Sequence, residues 1–164
     1  MAWYAIYTKS RSEKKLSSQL TSLGIENYLP LKRELRKWSD RNKWVEVPAI
    51  NCYLFVNLEL NQKELLFKQS HFVSFVRSFG SPAIIPEYQM DIMRKAIGSV
   101  DQLSIEATTP TIGQRIKLLT PPLEGVEGVI TRTSGKGKIY ICIENSGISL
   151  VLDSDKIIFE LTEI

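Results

Sequence analysis

Nucleophiles, general bases and metal ligands are scarce in this sequence. His71 is the single histidine, and no other polar residue stands at a catalytic or metal-ligand spacing from it. Cys52 and Cys142 each sit in an apolar, strand-like run, far apart and without the paired spacing of a zinc site, so both are read as buried thiols. Asp153 and Asp155 lie near a strand end. A hydrolase built on them would need a cleft bringing further polar groups to the pair. No catalysis, cofactor or metal is therefore expected. The chemistry that remains is charge. Lys9, Arg11, Lys14 and Lys15 fall within seven residues, and Lys32, Arg33, Arg36, Lys37, Arg41 and Lys43 form a second cluster with Trp38 and Trp44 interleaved. Cations interspersed with aromatics suit a phosphate-bearing partner, the alternative being ordinary solvated surface.

The charge is also unevenly placed. Residues 1 to 100 carry 15 Lys/Arg against 9 Asp/Glu, a net of +6, whereas the remainder carries 6 against 9, a net of −3. This asymmetry points to a basic module that meets a polyanion, joined to a module with another task. The polar, Thr-rich stretch DQLSIEATTPTIG, residues 101 to 113, reads as the join. The expected parse is a first domain over 1–100, a linker over 101–110 and a second domain over 111–164. No apolar run reaches the ~20 residues of a membrane span, and the N-terminus lacks the apolar core of a secretory signal, so a cytoplasmic location and no membrane partner are expected.

The elements that must hold the cations can be read from periodicity. Residues 3 to 8 predict a strand, and Ser10 with Glu13 has the spacing of a capping box ahead of Leu16, Leu20 and Leu23, with Gly24 as the helix stop. Residues 31–38 and 43–50 predict a basic hairpin arm around SDRN. NCYLFVNL predicts a strand, followed by a short helix near 62–69 and a strand near 73–79. A further helix starts at Pro86 and carries Tyr88, Ile92 and Ala96 along one side. The fold class is α+β, with helices on one face of an antiparallel sheet. In the second domain RIKLL, EGVITRT, KIYICI, ISLVL and KIIFEL predict a small five-stranded β-barrel, with SGKGK at 134–138 as a hairpin loop.

Strand alternation exposes a further problem. Leu54 and Val56 share one face while Tyr53 and Phe55 share the other, and both faces are apolar. Trp3, Ala5 and Tyr7 repeat this in the first strand, and Phe79 follows the fourth. Helices cover one face of such a sheet, so the second face needs a loop or a partner.

WYAIYTKSRSEKKL, LPLKRELRKWSDRNKWVEVPAINCYLFVNL, FVRSFGSPAIIP and the KOW-like GQRIKLLTPPLEGVEGVI occur in an order that resembles bacterial NusG-type transcription elongation and antitermination factors, especially the specialised RfaH and UpxY kinds. The resemblance implies an NGN domain that binds the clamp helices of the largest subunit of RNA polymerase, suppresses pausing and promotes antitermination of polysaccharide-type operons. It would place polymerase contacts at Tyr7, Tyr53, Phe55 and Phe79. Lys9, Arg11, Lys14 and Lys15, with Arg36, Lys37 and Arg41 on the arm, would face upstream or non-template DNA. The KOW-like domain would recruit a ribosomal protein or a termination factor, as in housekeeping members. Two departures stand out: Pro121 replaces a frequent glycine, and Glu144–Asn145 stands where housekeeping members carry an aromatic. Ile139, Ile141, Ile143, Ile148, Val151, Ile157 and Ile158 give residues 138 to 159 a β preference, so a barrel is expected as the resting state over a helical hairpin. The expected molecule is a non-enzymatic monomer. The alternative is a ribosome- or RNA-binding KOW-domain protein whose first domain merely supports it.

Overall fold

The computed structural model describes residues 1–97, 103–106, 113–133 and 136–162. The chain divides into two compact units, Met1–Ile84 and Ile85–Ile164. In the first unit, β1 (Ala2–Thr8) leads to α1 (Glu13–Ser22), β2 (Glu26–Tyr28), β3 (Leu31–Lys37), β4 (Asn42–Pro48) and β5 (Tyr53–Leu58). A 3-10 turn (Leu60–Gln62) and α2 (Lys63–Phe67) follow, then β6 (Phe72–Phe75), β7 (Arg77–Ser78), β8 (Ser81–Pro82) and β9 (Ile84–Ile85). The main sheet runs β2-β5-β1-β6, with β9 also on β1. Its β1–β5 ladder is antiparallel and places Ile6 opposite Leu54 and Tyr4 opposite Val56. These four pack with Leu16 and Leu20 of α1, Leu66 of α2 and Phe75 in one buried core. Burial of such large aliphatic side chains stabilises this face by roughly 1.5–3 kcal/mol each.

The start of α1 differs from the capping-box expectation. Arg11 adopts a left-handed φ of 58°, Ser12 is the N-cap but its hydroxyl donates back to Ser10 O and does not cap the helix, and the helix begins at Glu13. The buried Glu13 carboxylate instead accepts the N–H of Cys52 at 2.8 Å. Cys52 itself turns with a φ of 65° immediately before β5. A long-range partner has outcompeted the local one. The helix end follows the sequence: Gly24 takes a φ of 75°, its N–H bonds Thr21 O, and Ile25 N–H bonds Leu20 O. That pair of bonds is a Schellman motif, with Ile25 and Leu20 both in the core.

The β3–β4 arm and the short β7–β8 hairpin are two-stranded sheets of their own. At the tip of β7–β8, Phe79 (φ 51°) and Gly80 (φ 81°) are both left-handed, which is the two-residue turn that matches strand twist.

The second unit holds α3 (Glu87–Ala96), β10 (Ser104–Glu106), β11 (Gln114–Leu118), β12 (Glu127–Thr133), β13 (Lys136–Ile143), β14 (Ile148–Asp153) and β15 (Phe159–Leu161). Pro86 is the N-cap of α3, and the buried residues of the helix are Gln89, Met90, Met93 and Ala96. Tyr88 is exposed and Ile92 half-buried, so the buried stripe is rotated from the one expected. The sheet order is β10-β14-β13-β12-β11-β15. It therefore has six strands, not the five of the expected barrel, and its two end strands do not pair. β10 occupies the free edge of β14 and the three-residue β15 occupies that of β11, so those two edges are not available to each other. Ser104–Glu106 belongs to the stretch read as a linker, whose residues 101, 102 and 107–110 lie outside the described ones, as do Ser134 and Gly135 of the SGKGK loop. Ile139, Ile141, Ile148 and Leu150 are buried on strands, not on a helical hairpin.

Gly125 (φ 86°) makes the turn into β12, while Gly128 lies where a Cβ would sit 2.9 Å from Tyr140 O on the neighbouring strand. Cys52 and Cys142 are free and only partly buried, correcting the expectation of buried thiols. Both lie beside turns or polar neighbours: Cys52 precedes β5 in a left-handed turn, and the Ser149 hydroxyl lies 3.6 Å from Cys142 Sγ. No helix among the described residues is long and apolar enough to cross a membrane.

Candidate functional site

The β1–β5 register puts Tyr7 opposite Tyr53 and Ala5 opposite Phe55, on the sheet face away from the α1 core. The Tyr7 and Tyr53 rings meet edge to face at 4.9 Å, and the Tyr53 hydroxyl donates to Tyr7 Oη at 3.2 Å. Burial, reinforced by that hydrogen bond, pushes the Tyr53 phenol well above its ordinary value. Phe55 is fully buried and Tyr28 packs near it at 6.4 Å, whereas Tyr7 is half-buried. Phe79 is apart from this group, fully exposed at the β7–β8 tip. A bulky side chain in the left-handed region costs about 1–2 kcal/mol, so the turn presents Phe79 at some expense to stability. The Arg77 guanidinium donates to Gly80 O at 3.0 Å and braces the turn.

The basic residues separate into those that share a surface and those that do not. Arg11 and Lys14 from the start of α1 and Arg36 from β3 line one polar cleft of about 890 Å³, together with Glu46 and Val47 of β4. The Lys14 ammonium donates to Glu46 O at 2.6 Å and ties helix to arm. Arg36 meets the exposed Glu34 carboxylate at 3.7 Å, a pair worth little in water. Lys9 and Lys15 are exposed and outside the cleft lining, and Lys37 and Arg41 lie further along the arm, where Arg41 O accepts Trp38 N–H at 2.8 Å. The opposing charge at the α1 N-terminus is supplied by Glu13 in the first turn, which offsets the dipole cost of Lys14 and Lys15. Val45, Val47 and Asn51 were missed as lining residues. Alternation in NKWVEVP already places Val45 and Val47 on the face opposite Trp44, but nothing local says that α1 meets that face.

In the second unit, α3 and the end of β13 are joined through Glu144. The Tyr88 hydroxyl donates to Glu144 Oε1 at 2.6 Å, and the Glu144 N–H donates to Oε1 of the buried Gln89 at 2.6 Å. The bond to the carboxylate, with lesser help from desolvation, raises the Tyr88 phenol above its ordinary value. Glu144, singled out only as a departure from an aromatic, is thus a structural acceptor for α3. Asp153 and Asp155 are both exposed around a 3-10 turn. Among the described residues no three His, Cys, Asp or Glu side chains gather as metal ligands would.

A protein family described as transcription termination factor nusG matches residues 1–94, more than half of the chain. The chain belongs to the NusG family. The NusG match covers the whole first unit, and with it both the aromatic sheet face and the basic cleft. Among solved structures, NusG of Thermotoga maritima, from a study of its domain interaction, is similar over 93% of this chain and 92% of its own, with a TM-score of 0.55 at 17% identity. At that identity the likeness concerns the NusG fold: mixed α/β, with antiparallel sheets and few helices. The MjSpt4:Spt5 complex in its conformation B aligns over 99% of both chains, with a TM-score of 0.33 and 13% identity. No curated protein matches the sequence.

Proposed function

We propose that this NusG-family chain is a non-enzymatic transcription elongation factor that binds RNA polymerase through its first unit, suppresses pausing and promotes antitermination, in the manner of the specialised RfaH and UpxY kinds. The observation that carries this reading is the family match over residues 1–94, which coincides with the unit holding an exposed aromatic pin and a cationic cleft. Phe79 and Tyr7 make the first contact with the polymerase clamp helices. Tyr53 and Phe55, buried in this structure, back that contact from within the same sheet face, where the Tyr53 hydroxyl donates to Tyr7. Arg11, Lys14 and Arg36 receive phosphates of upstream or non-template DNA, with Lys9, Lys15, Lys37 and Arg41 adding attraction around them. The second unit, KOW-like by its GQRIKLLTPPLEGVEGVI run, offers a site for a ribosomal protein or termination factor. The factor acts as a cytoplasmic monomer.

The mechanism is differential binding. A ligand shifts a two-state equilibrium only by its preference for one state, so the protein must hold the clamp-closed, elongating polymerase more tightly than the paused one. Binding to polymerase with intact or deleted clamp helices tests the docking assignment. Deletion should abolish binding, and Phe79→Ala should weaken it without changing the salt dependence of DNA binding. Undiminished affinity for the deleted polymerase overturns the reading. The polysaccharide-operon assignment is tested by transcript levels across such operons when the protein is removed; a uniform effect on all operons speaks for a general factor instead.

A further inference from the structure

Ser104–Glu106 lies in a polar stretch and is a strand because of what it touches. β10 pairs with β14 antiparallel, with Ser104 opposite Val151, Ile105 opposite Leu150 and Glu106 opposite Ser149. Residues directly opposite share a face and successive residues alternate, so Ile105 joins Leu150 and, one strand further, Ile141 on one face. All three are buried. Glu106 is on the other face, where its carboxylate reaches past Val151 to the Lys138 ammonium at 3.8 Å. The sequence carries the same alternation slightly further, since LSIEA, residues 103 to 107, has an apolar residue at every second position. The hold is nevertheless partial. β14 spans Ile148–Asp153, and among the described residues only Ser149, Leu150 and Val151 face β10. One buried aliphatic side chain, a solvent-facing ion pair and a short ladder must offset the entropy of fixing three residues, and these opposing terms are of similar size. A sheet edge covered so lightly is one that another strand can take.

We propose that the β14 edge accepts an extended segment of a protein partner, and that Ser104–Glu106 is the chain's own displaceable occupant of that edge. This rests on the recruiting role proposed for the second unit and adds to it the edge used and the kind of segment taken. Strand addition draws affinity from main-chain hydrogen bonds and specificity from alternate side chains. β10 shows what fits: an antiparallel strand with an aliphatic residue opposite Leu150, apolar neighbours two positions away, and a carboxylate opposite Ser149. A partner strand running along all six residues of β14 would make about twice the ladder of the three-residue β10, which is how it displaces a tethered competitor. Charge limits the partner. Asp153 stands directly opposite Lys138 on the face that holds Glu106, and residues 101 to 164 carry a net of −3. One carboxylate aligned with Lys138 therefore suits this edge, and an acidic tract does not.

The test uses the full chain and a fluorescein-labelled peptide, QLSIEATT, with the sequence of residues 102 to 109. Ile105→Asp in the chain removes the internal competitor. The peptide should bind this variant roughly 10- to 100-fold more tightly than the wild type, as for an edge that is open about 1–10% of the time. Lys138→Ala, combined with it, should weaken the peptide by only about 1.5- to 5-fold, the range of an exposed ion pair. A peptide carrying the Ile105→Asp change should bind neither chain. Where Ile105→Asp does not fold, amide exchange of the wild type decides: excess peptide should slow exchange along β14, and unchanged protection would overturn the proposal. Equal affinity of the peptide for wild type and variant would also overturn it, as would equal binding of the two peptides. So would dimerisation of the wild type that Ile105→Asp abolishes, because the occupant would then be a second copy. Failure of the recruiting reading looks different: the edge would take the peptide, yet no ribosomal protein or termination factor would bind either form of the chain.

Discussion

Arg11 and Arg36 come from segments 25 positions apart yet line the same cleft with Lys14, and that convergence has a measurable electrostatic consequence. Each phosphate neutralised on duplex DNA contributes about −0.9 to the slope of log affinity against log salt concentration. Three cations acting together predict a slope of about −2.7, and a loss of affinity of about 40-fold between 50 and 200 mM salt. Replacing Arg11 and Arg36 with Gln should remove about 1.8 of that slope and reduce the salt-driven loss by about 12-fold. The substitution should leave the fold intact, because Arg11 is exposed and Arg36 pairs with the solvent-facing Glu34. Lys14 is retained in the variant, since its ammonium also joins α1 to Glu46 O. Fluorescence anisotropy of a labelled duplex at several salt concentrations reads the slope directly. The comparison variant is Lys9→Gln with Lys15→Gln, which removes the same charge outside the cleft. Equal slopes for the two double variants would show that DNA senses only diffuse charge, and the cleft assignment would be wrong.

Other substitutions test the scaffold beneath these surfaces. Glu13→Ala should destabilise the first unit by about 1–3 kcal/mol, because the Cys52 N–H loses its acceptor, whereas Glu13→Gln keeps a carbonyl oxygen and should cost less. Chemical denaturation of both variants gives the comparison; equal losses would deny the hydrogen bond its role. Gly128→Ala should cost about 1–3 kcal/mol through the 2.9 Å approach of its Cβ to Tyr140 O, and a neutral result would mean the two strands can separate freely there. In alkaline titration followed by tyrosinate absorbance, Tyr53 and Tyr88 should ionise above the usual phenol range. Both folded-state values are raised, so the stability linked to these phenols is intact at neutral pH and is lost as pH climbs through the raised values. Tyr88→Phe should remove one late-ionising group, and an unchanged titration curve would contradict the Glu144 contact.

Much of the fold was legible because it rests on local patterns. EGVITRT corresponds to β12 residue for residue, Gly24 ends α1, and the SDRN turn separates β3 from β4. What escaped rests on distant contacts. The S-x-x-E spacing of Ser10 and Glu13 predicts a capping box, yet Glu13 turns to Cys52, 39 positions away. The three-residue β10 was hidden in a polar stretch because its pairing partner, β14, supplies the reason for a strand there. Tyr88 reads with Ile92 and Ala96 as one side of an amphipathic helix, and only Glu144, distant in sequence, gives Tyr88 and its neighbour Gln89 their polar partner. For the site, residue types were readable but grouping was not. Seven cations were candidates, and only the packing of α1 against β4 selects Arg11, Lys14 and Arg36 for one cleft.

The central claim is that this NusG-family chain changes how RNA polymerase elongates by docking on its clamp helices. Pause lifetimes on a template with defined pause sites, measured with and without the protein, test it most directly when intact polymerase is compared with clamp-helix-deleted polymerase. The account predicts shorter pauses and longer transcripts with the intact enzyme and no change with the deleted one. Unchanged pausing on intact polymerase, or an equal effect on the deleted enzyme, would contradict it.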